Sequence, residues 1–384
     1  MRPRPLPAGE AKKEARMIST LGSLLIGTIL PFLVVLTVVV FVHELGHFLV
    51  ARGVGVAVKT FSLGFGPELF GRDDAKGTRW RLSAVPLGGY VKFVDDANAA
   101  SVPDFEAPPV AGGFRSKPVA ARAAVVAAGP LANFLFAIAV LACLFLAFGR
   151  AVTPPIATEI DAGSAAAEAG FLPGDRLLKV DGQDVASFED VQRIVMLRRG
   201  VAMPIVVARG DGQLTLTATP RETEVTDGLG HKQKLPLLGL RQTNPKVEIV
   251  RFGPLGAVLE ATRETGSIVS STLSSVAGMF SGRTSTDQIS GPIGIARMSG
   301  EMAALGWIPL INLAAILSIS IGLINLFPIP LLDGGHLVFY AIEAVLGRPL
   351  PERAQEIGFG IGFAIVLGLM AFGVVNDIVR IATG

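Results

Sequence analysis

Val39-Val40-Phe41-Val42-His43-Glu44-Leu45-Gly46-His47 closes an uncharged run that begins at Met17, and places two imidazoles and a carboxylate at the end of a segment long enough to cross a bilayer. On a helix, side chains four residues apart leave from one face. His43 and His47 can therefore reach a single metal ion while Glu44 projects beside them toward a water molecule. The chain holds four histidines in 384 residues, so a chance His-Glu-x-x-His is rare. Ionisable groups at membrane depth are costly and usually face a protein-lined or wet interior at a functional site. That location also argues against two histidines that only hydrogen-bond within a helix bundle.

Hydrophobic residues make up 50% of the sequence and charged ones 17%, and mean hydropathy is +0.55, which is too apolar for a soluble enzyme of this size. The expected fold is a polytopic α-helical membrane protein with four transmembrane helices: Met17–Val42, Ala123–Phe148, Trp307–Leu332 and Gly358–Val375. A cleaved signal peptide fits the first run poorly, because the run is long and leads straight into His43 without a small-residue cleavage site. The net charge of +2, with no Lys/Arg stripe, excludes nucleic acid as the expected partner. Cys143 is the only cysteine, so neither a disulfide framework nor a thiolate cluster is available and any metal is left to histidine and carboxylate.

The chain divides into a basic tail (1–16), a first span with the metal motif (17–52), a membrane-associated β-hairpin region (53–118) and a second span (119–149). A soluble module (153–243), a linker with an amphipathic helix (244–306), a third span with a loop (307–336), a cytoplasmic loop (337–357) and a fourth span (358–384) follow. Basic residues in the connection after the first span, among them Arg52, Lys59, Arg79, Arg81 and Lys117, place it in the cytoplasm. Arg348 and Arg353 place the last connection there too. The tail, with Arg2, Arg4, Lys12, Lys13 and Arg16, conflicts with this orientation unless translation starts at Met17.

Within 153–243, Ile156–Ile160 and Arg176–Val180 read as strands, and Ala165–Ala169 and Phe188–Arg198 as helices. Ile205–Ala208 and Leu214–Ala218 read as a hairpin, which makes the module α/β. Pro254 to Gly282 reads as a helix lying on the membrane surface. Val54 to Val94 alternates apolar and polar residues around Gly64, Gly66, Gly88 and Gly89, with Phe61, Leu63, Phe65, Leu69 and Phe70 greasy enough to enter the bilayer. An open strand edge there would hold an unwound peptide by strand addition.

A catalytic zinc site needs a third protein ligand. Asn325-Leu326-Phe327-Pro328-Ile329-Pro330-Leu331-Leu332-Asp333-Gly334-Gly335-His336 ends the third apolar run, and its prolines break the helix. Asp333 is the only carboxylate in this segment, and the glycines after it let the chain turn sharply and approach a metal closely. The alternatives are His336 as the ligand and Asp333 as a helix-end carboxylate at the interface, but together with the first motif Asp333 is the obvious ligand. His231, in the soluble module, is not expected near the metal.

In order, the His43–His47 motif, Gly64-Phe65-Gly66, Pro86-Leu87-Gly88-Gly89-Tyr90 and Gly129-Pro130-Leu131-Ala132-Asn133-Phe134 resemble the site-2 protease family, and specifically its bacterial RseP-type branch. Ser290-Gly291-Pro292-Ile293-Gly294-Ile295-Ala296 and the Asn325–Gly335 segment continue the match. The run Gly170 to Gly182 resembles the signature of bacterial PDZ domains. The resemblance implies an intramembrane zinc metalloprotease of the bacterial inner membrane, with one Zn2+ held by His43, His47 and Asp333 and with Glu44 as general base. It further implies that Asn325 and the Pro328 and Pro330 turn hold substrate backbone. Asn133 is implied either to support the site or to make a helix–helix hydrogen bond. Implied partners are membrane lipid and single-pass transmembrane substrates, such as cleaved anti-sigma factors or signal-peptide remnants. The implied PDZ domain is extracytoplasmic, and it either binds peptide or restricts access. Larger members carry two PDZ domains and one signature is visible here. A catalytically inactive PDZ-bearing receptor or scaffold is the competing reading, opposed by the four intact chemical positions. A metal transporter would need polar residues along several helices.

Overall fold

The computed structural model describes residues 22, 25–95, 110, 112–226, 232–243, 247–280 and 290–383. The basic tail, the question of Met1 or Met17, and His231 fall outside them. The chain forms two compact units, one of residues 1–141 with 289–377 and one of 142–288 with 378–384. Four helices among the described residues are long and apolar enough to cross a membrane, which is the architecture of a polytopic helical membrane protein.

In the first unit, α1 (Leu30–Gly53) follows a π-helical turn at Leu25–Ile29. The apolar run ends at Val42 but the helix does not, because the buried Phe48 and Ala51, with Leu45 and Val50 half-buried beside them, continue a packed face to the stop at Gly53-Val54. β1 (Val58–Asp73) and β2 (Arg79–Phe93) pair over this helix. Phe61 to Leu63 is flanked by Trp80–Leu82 on one side and Gly89–Val91 on the other, and positive φ at Gly64 (84°) and Gly88 (134°) permits the fold-back. Of the apolar residues expected to enter the bilayer, Phe61 instead packs against Phe48 and Trp80. Leu69 and Phe70 remain exposed at the outer end.

α2 (Val119–Phe148) crosses α1 closely, since a Cβ on Gly46 would stand 2.3 Å from the Ala128 carbonyl oxygen. α7 (Trp307–Asn325) stops seven residues short of Leu332, because Pro328 and Pro330 cannot continue it. The expected cytoplasmic loop (337–357) is corrected by the structure: α8 (Asp333–Leu346) occupies its first half and ends at Gly347, whose φ is +67°. The glycines after Asp333 read as a turn, yet they form the first turn of a helix carried by Leu337-Val338-Phe339-Tyr340. The last helix, α9 (Glu352–Thr383), starts six residues before Gly358, so its charged first turns belong to the helix. α6 (Pro292–Leu305) lacks a cap of its own at Gly291. The buried carboxylate of Asp377 supplies it, accepting from the amides of Gly291 (3.0 Å) and Gly294 (2.9 Å).

In the second unit, β5 (Arg176–Val180), β6 (Gln183–Asp184), β7 (Met203–Arg209) and β8 (Gly212–Ala218) form a sheet in the order β6-β5-β7-β8. Leu177, Val180, Met203, Ile205 and Val207 are fully buried beneath α3 (Ala165–Glu168) and α4 (Phe188–Met196). Ser187 and Asp190 form a capping box that fixes the start of α4. Ile156–Ile160 is not a full strand: β4 is only Glu159–Ile160, paired with β11 (Leu240–Arg241), and Ile156 makes a single bridge to Arg176. A hairpin of β9 (Arg221–Thr226) and β10 (Lys232–Leu237) was not expected. β3 (Arg150–Val152) pairs with β12 (Glu248–Val250), and α5 (Pro254–Phe280) follows.

Candidate metal centre

α1 sets His43 and His47 one above the other, with their Nε2 atoms 3.2 Å apart. Asp333, at the first position of α8, brings Oδ2 to 3.2 Å from His43 Nε2 and 3.6 Å from His47 Nε2. A four-coordinate zinc with bonds of about 2.0–2.2 Å holds neighbouring ligand atoms roughly 3.3–3.6 Å apart. The three atoms therefore form a triangle of the size zinc requires. Asp333 Oδ2 is buried and has no hydrogen-bond partner, which is the condition of a carboxylate oxygen built for a cation. No other group of three or more His, Cys, Asp or Glu among the described residues has this convergence.

The remaining ring nitrogens are held from α2. His47 Nδ1 lies 2.9 Å from the Val125 carbonyl oxygen, so Nδ1 carries the proton and donates it, leaving Nε2 as the ligand atom. His43 Nδ1 lies 3.3 Å from the Asn133 side-chain amide nitrogen, while Asn133 Oδ1 is buried without a partner. With the amide turned over, Oδ1 accepts from His43 Nδ1–H, the orphaned oxygen is satisfied, and Nε2 is left with a lone pair toward Asp333 Oδ2. Asn133 is fully buried, and its backbone carbonyl accepts from Ser318 of α7 (3.0 Å), so it joins both the site and the helix contact.

Close packing depends on missing side chains. A Cβ on Gly129 would lie 2.3 Å from His47 Nε2 and 2.9 Å from His43 Cε1. Gly334 and Gly335 admit the carbonyls of Phe327 and Ile329, which lets the Asn325–Leu332 loop fold back over the start of α8. Leu331 takes the strain of that turn at φ 94°.

His43, Glu44, His47 and Asp333 share a cavity of about 1050 Å3 with Asn325, Gly89, Tyr90 and Val91. The β2 edge passes beside Glu44: a Cβ on Gly89 would lie 3.3 Å from its Cγ, and the Val91 amide hydrogen-bonds to its carboxylate. His336 lines the cavity too, but its ring packs on Phe359 at 5.3 Å and it is not one of the three converging ligands. Pro328 and Pro330 lie outside the lining. Pro330 packs against Gly335 and Gly362 and so shapes the loop from behind. The sequence reading missed Arg122 and Glu343, paired in a fork at 2.6 and 3.1 Å across the same cavity with Arg122 over the Tyr340 ring. It also missed Asp377. The available signal was an acid just beyond the fourth apolar run.

The model of the family described as Peptidase family M50 matches residues 31–369. "Putative zinc metalloprotease Atu1380" of Agrobacterium fabrum is 48% identical over 366 residues, covering 92% of this chain and 96% of that protein. "Metalloprotease MmpA" of Caulobacter vibrioides is 41% identical over 380 residues, covering 92% and 95%. "Putative zinc metalloprotease BH06270" of Bartonella henselae is 36% identical over 351 residues, covering 88% and 98%.

Proposed function

The chain belongs to peptidase family M50, and on that premise we propose that it is an intramembrane zinc metalloprotease of the site-2 type. Its substrates are single-pass membrane proteins, cut within or beside their transmembrane segments after a first extracytoplasmic cleavage. Cleaved anti-sigma factors and signal-peptide remnants have the required form. The observation that carries this reading is the triangle of His43 Nε2, His47 Nε2 and Asp333 Oδ2, closed around an unpartnered carboxylate oxygen and lining one cavity with Glu44.

One zinc ion held by these three residues supplies Lewis acidity toward the scissile carbonyl and makes water nucleophilic near neutral pH. Glu44 Oε takes the proton from the attacking water and passes it to the leaving amide nitrogen. The β-hairpin beside Glu44 holds the unwound substrate by strand addition, and Asn325, which lines the same cavity, orients its backbone. Unwinding is required because a helical peptide bond is shielded and already hydrogen-bonded. Asn133 fixes the tautomer of His43. The α/β module is a PDZ domain outside the cytoplasm of a bacterial inner-membrane protein.

The test is Glu44→Gln in the full chain, reconstituted with a single-span reporter. Zinc content by atomic spectrometry stays at the wild-type level and cleavage is lost. Retained cleavage removes Glu44 as base, and a folded wild type without zinc removes the enzymatic reading in favour of a catalytically inactive scaffold.

A further inference from the structure

A second groove, of about 630 Å3, lies within the unit of residues 142–288, between the end of α4 and one face of α5. Arg193, Arg198, Arg199 and Arg263 line it, and no acid does. The carboxylates that pair with them, Asp190, Asp181, Glu222 and Glu260, stand outside the lining. A guanidinium has five N–H donors and a carboxylate fork engages two, so such pairing orients an arginine and leaves donors for a ligand.

The facing wall is a stripe of α5. Ser267, Ser270, Ser271 and Ser274 follow Arg263 at helical spacing and point into the groove. Hydroxyls in a helix commonly bond back to the carbonyl four residues earlier, as those of Thr262, Thr265 and Thr272 do, each at 2.8 Å. The four serine hydroxyls make no such bond to the described residues. Guanidinium and hydroxyl donors therefore converge on one space that contains no acceptor carboxylate.

The position of α5 indicates what fills it. Phe145, in the last turn of the membrane-spanning α2, packs against Phe252 just before α5. Arg150, two residues beyond that helix, binds Glu260 and also Glu264 (2.9 Å) on α5. The helix thus starts where the chain leaves the bilayer. Another stripe of the same helix exposes Leu255, Val258, Leu259 and Leu273, as in a helix seated at an interface. We propose that this groove binds the anionic phosphate headgroup of a membrane phospholipid, with the guanidiniums and serines as donors and the exposed leucine stripe among the acyl chains.

The experiment is native mass spectrometry of the full-length protein released from detergent after incubation with phosphatidylglycerol or phosphatidylcholine. Two variants are compared: Arg198→Gln with Arg263→Gln, and Ser270→Glu, which adds an anion without breaking an ion pair. Retained phosphatidylglycerol falls about tenfold in Ser270→Glu and at least tenfold in the double variant, which loses two charge-assisted contacts, and the weaker phosphatidylcholine signal does not change. Should the double variant fail to fold by circular dichroism, Ser270→Glu decides. Equal retention of both lipids by the wild type, or unchanged phosphatidylglycerol in the folded variants, overturns the proposal. So does inorganic phosphate or an acidic peptide that occupies the groove in the absence of lipid and displaces phosphatidylglycerol.

Discussion

Gly129→Ala would add one methyl group at the point where α2 faces the two imidazoles. Its Cβ would fall 2.3 Å from His47 Nε2, 2.5 Å from His47 Cε1 and 2.9 Å from His43 Cε1. Ordinary contact begins near 3.4 Å, so about 1 Å must be recovered by motion of the rings or the helices. The helices resist, because Gly46 already brings α1 against the Ala128 carbonyl and Gly322 brings α7 against Asn133. The rings must then swing, and His47 loses its bond to the Val125 carbonyl. Zinc ligation tolerates errors of about 0.2 Å, and loss of an orienting partner alone costs about 10–100-fold in affinity. Zinc affinity should fall at least 100-fold, or about 2.7 kcal/mol, while the helical content of the purified protein is unchanged. Competition with a zinc chelator measures the affinity, circular dichroism the fold, and reporter cleavage the activity. A Gly129→Ala protein that binds zinc as tightly as wild type and cuts at the wild-type rate would refute the geometry from which the site is argued.

Asp377→Ala leaves the buried amide of Gly291 and the half-buried amide of Gly294 without this acceptor, and should destabilise the packing of α6 by roughly 2–5 kcal/mol, read as a lower thermal midpoint in detergent. Asp175, almost fully buried, accepts from Arg209 at 2.7 and 2.6 Å and from the Leu172 amide, so Asp175→Asn should cost about 2–4 kcal/mol and speed hydrogen exchange in β5 and β7 of the full chain. The same guanidinium holds the Asp175 carboxyl below its ordinary value. In the acid window the unfolded chain therefore binds the proton first. The stabilisation is full above the ordinary carboxylate range and is lost as pH falls through the lower folded value, and an acid titration of exchange at Leu172 checks this sign. Arg122→Gln and Glu343→Gln should each destabilise by about 1–3 kcal/mol and the double variant by less than their sum, because either single change leaves a half-buried charge alone.

The centre was legible because its chemistry is local. Two histidines at helical spacing and one acid in a proline-broken loop are each visible within a dozen residues, and the coordinates bring them to within 3.6 Å. The helix ends were less legible. Hydropathy carried the third span to Leu332, while Pro328 and Pro330 stopped the helix at Asn325. Gly334-Gly335 read as a turn although it opens α8. The resemblance implied that Pro328 and Pro330 hold substrate backbone; neither lines the cavity, and Pro330 packs against Gly362. Least legible were the long-range polar pairs: Arg122 and Glu343 are 221 residues apart and Asp377 lies 86 residues from Gly291, and no local pattern joins them.

Those pairs and the glycines answer a problem specific to lipid. Apolar helices gain nothing from hydrophobic burial against one another when acyl chains are equally apolar, so close backbone approach and buried polar contacts must hold them together. The proposed metal site sharpens that demand, since the side chains assigned to it come from α1 and from the start of α8, and both must be fixed to within a few tenths of an ångström. Gly46 and Gly129 bring α2 onto α1, Gly322 brings α7 onto α2, and Gly334, Gly335 and Gly362 close the loop that ends at Asp333. Asn133 then ties the contact between α2 and α7 to the site, through His43 on one side and Ser318 on the other. It follows that substitutions at these glycines should act on zinc affinity before they act on membrane insertion. The helices remain apolar enough to insert, and what is lost is the close approach that the ligand triangle requires.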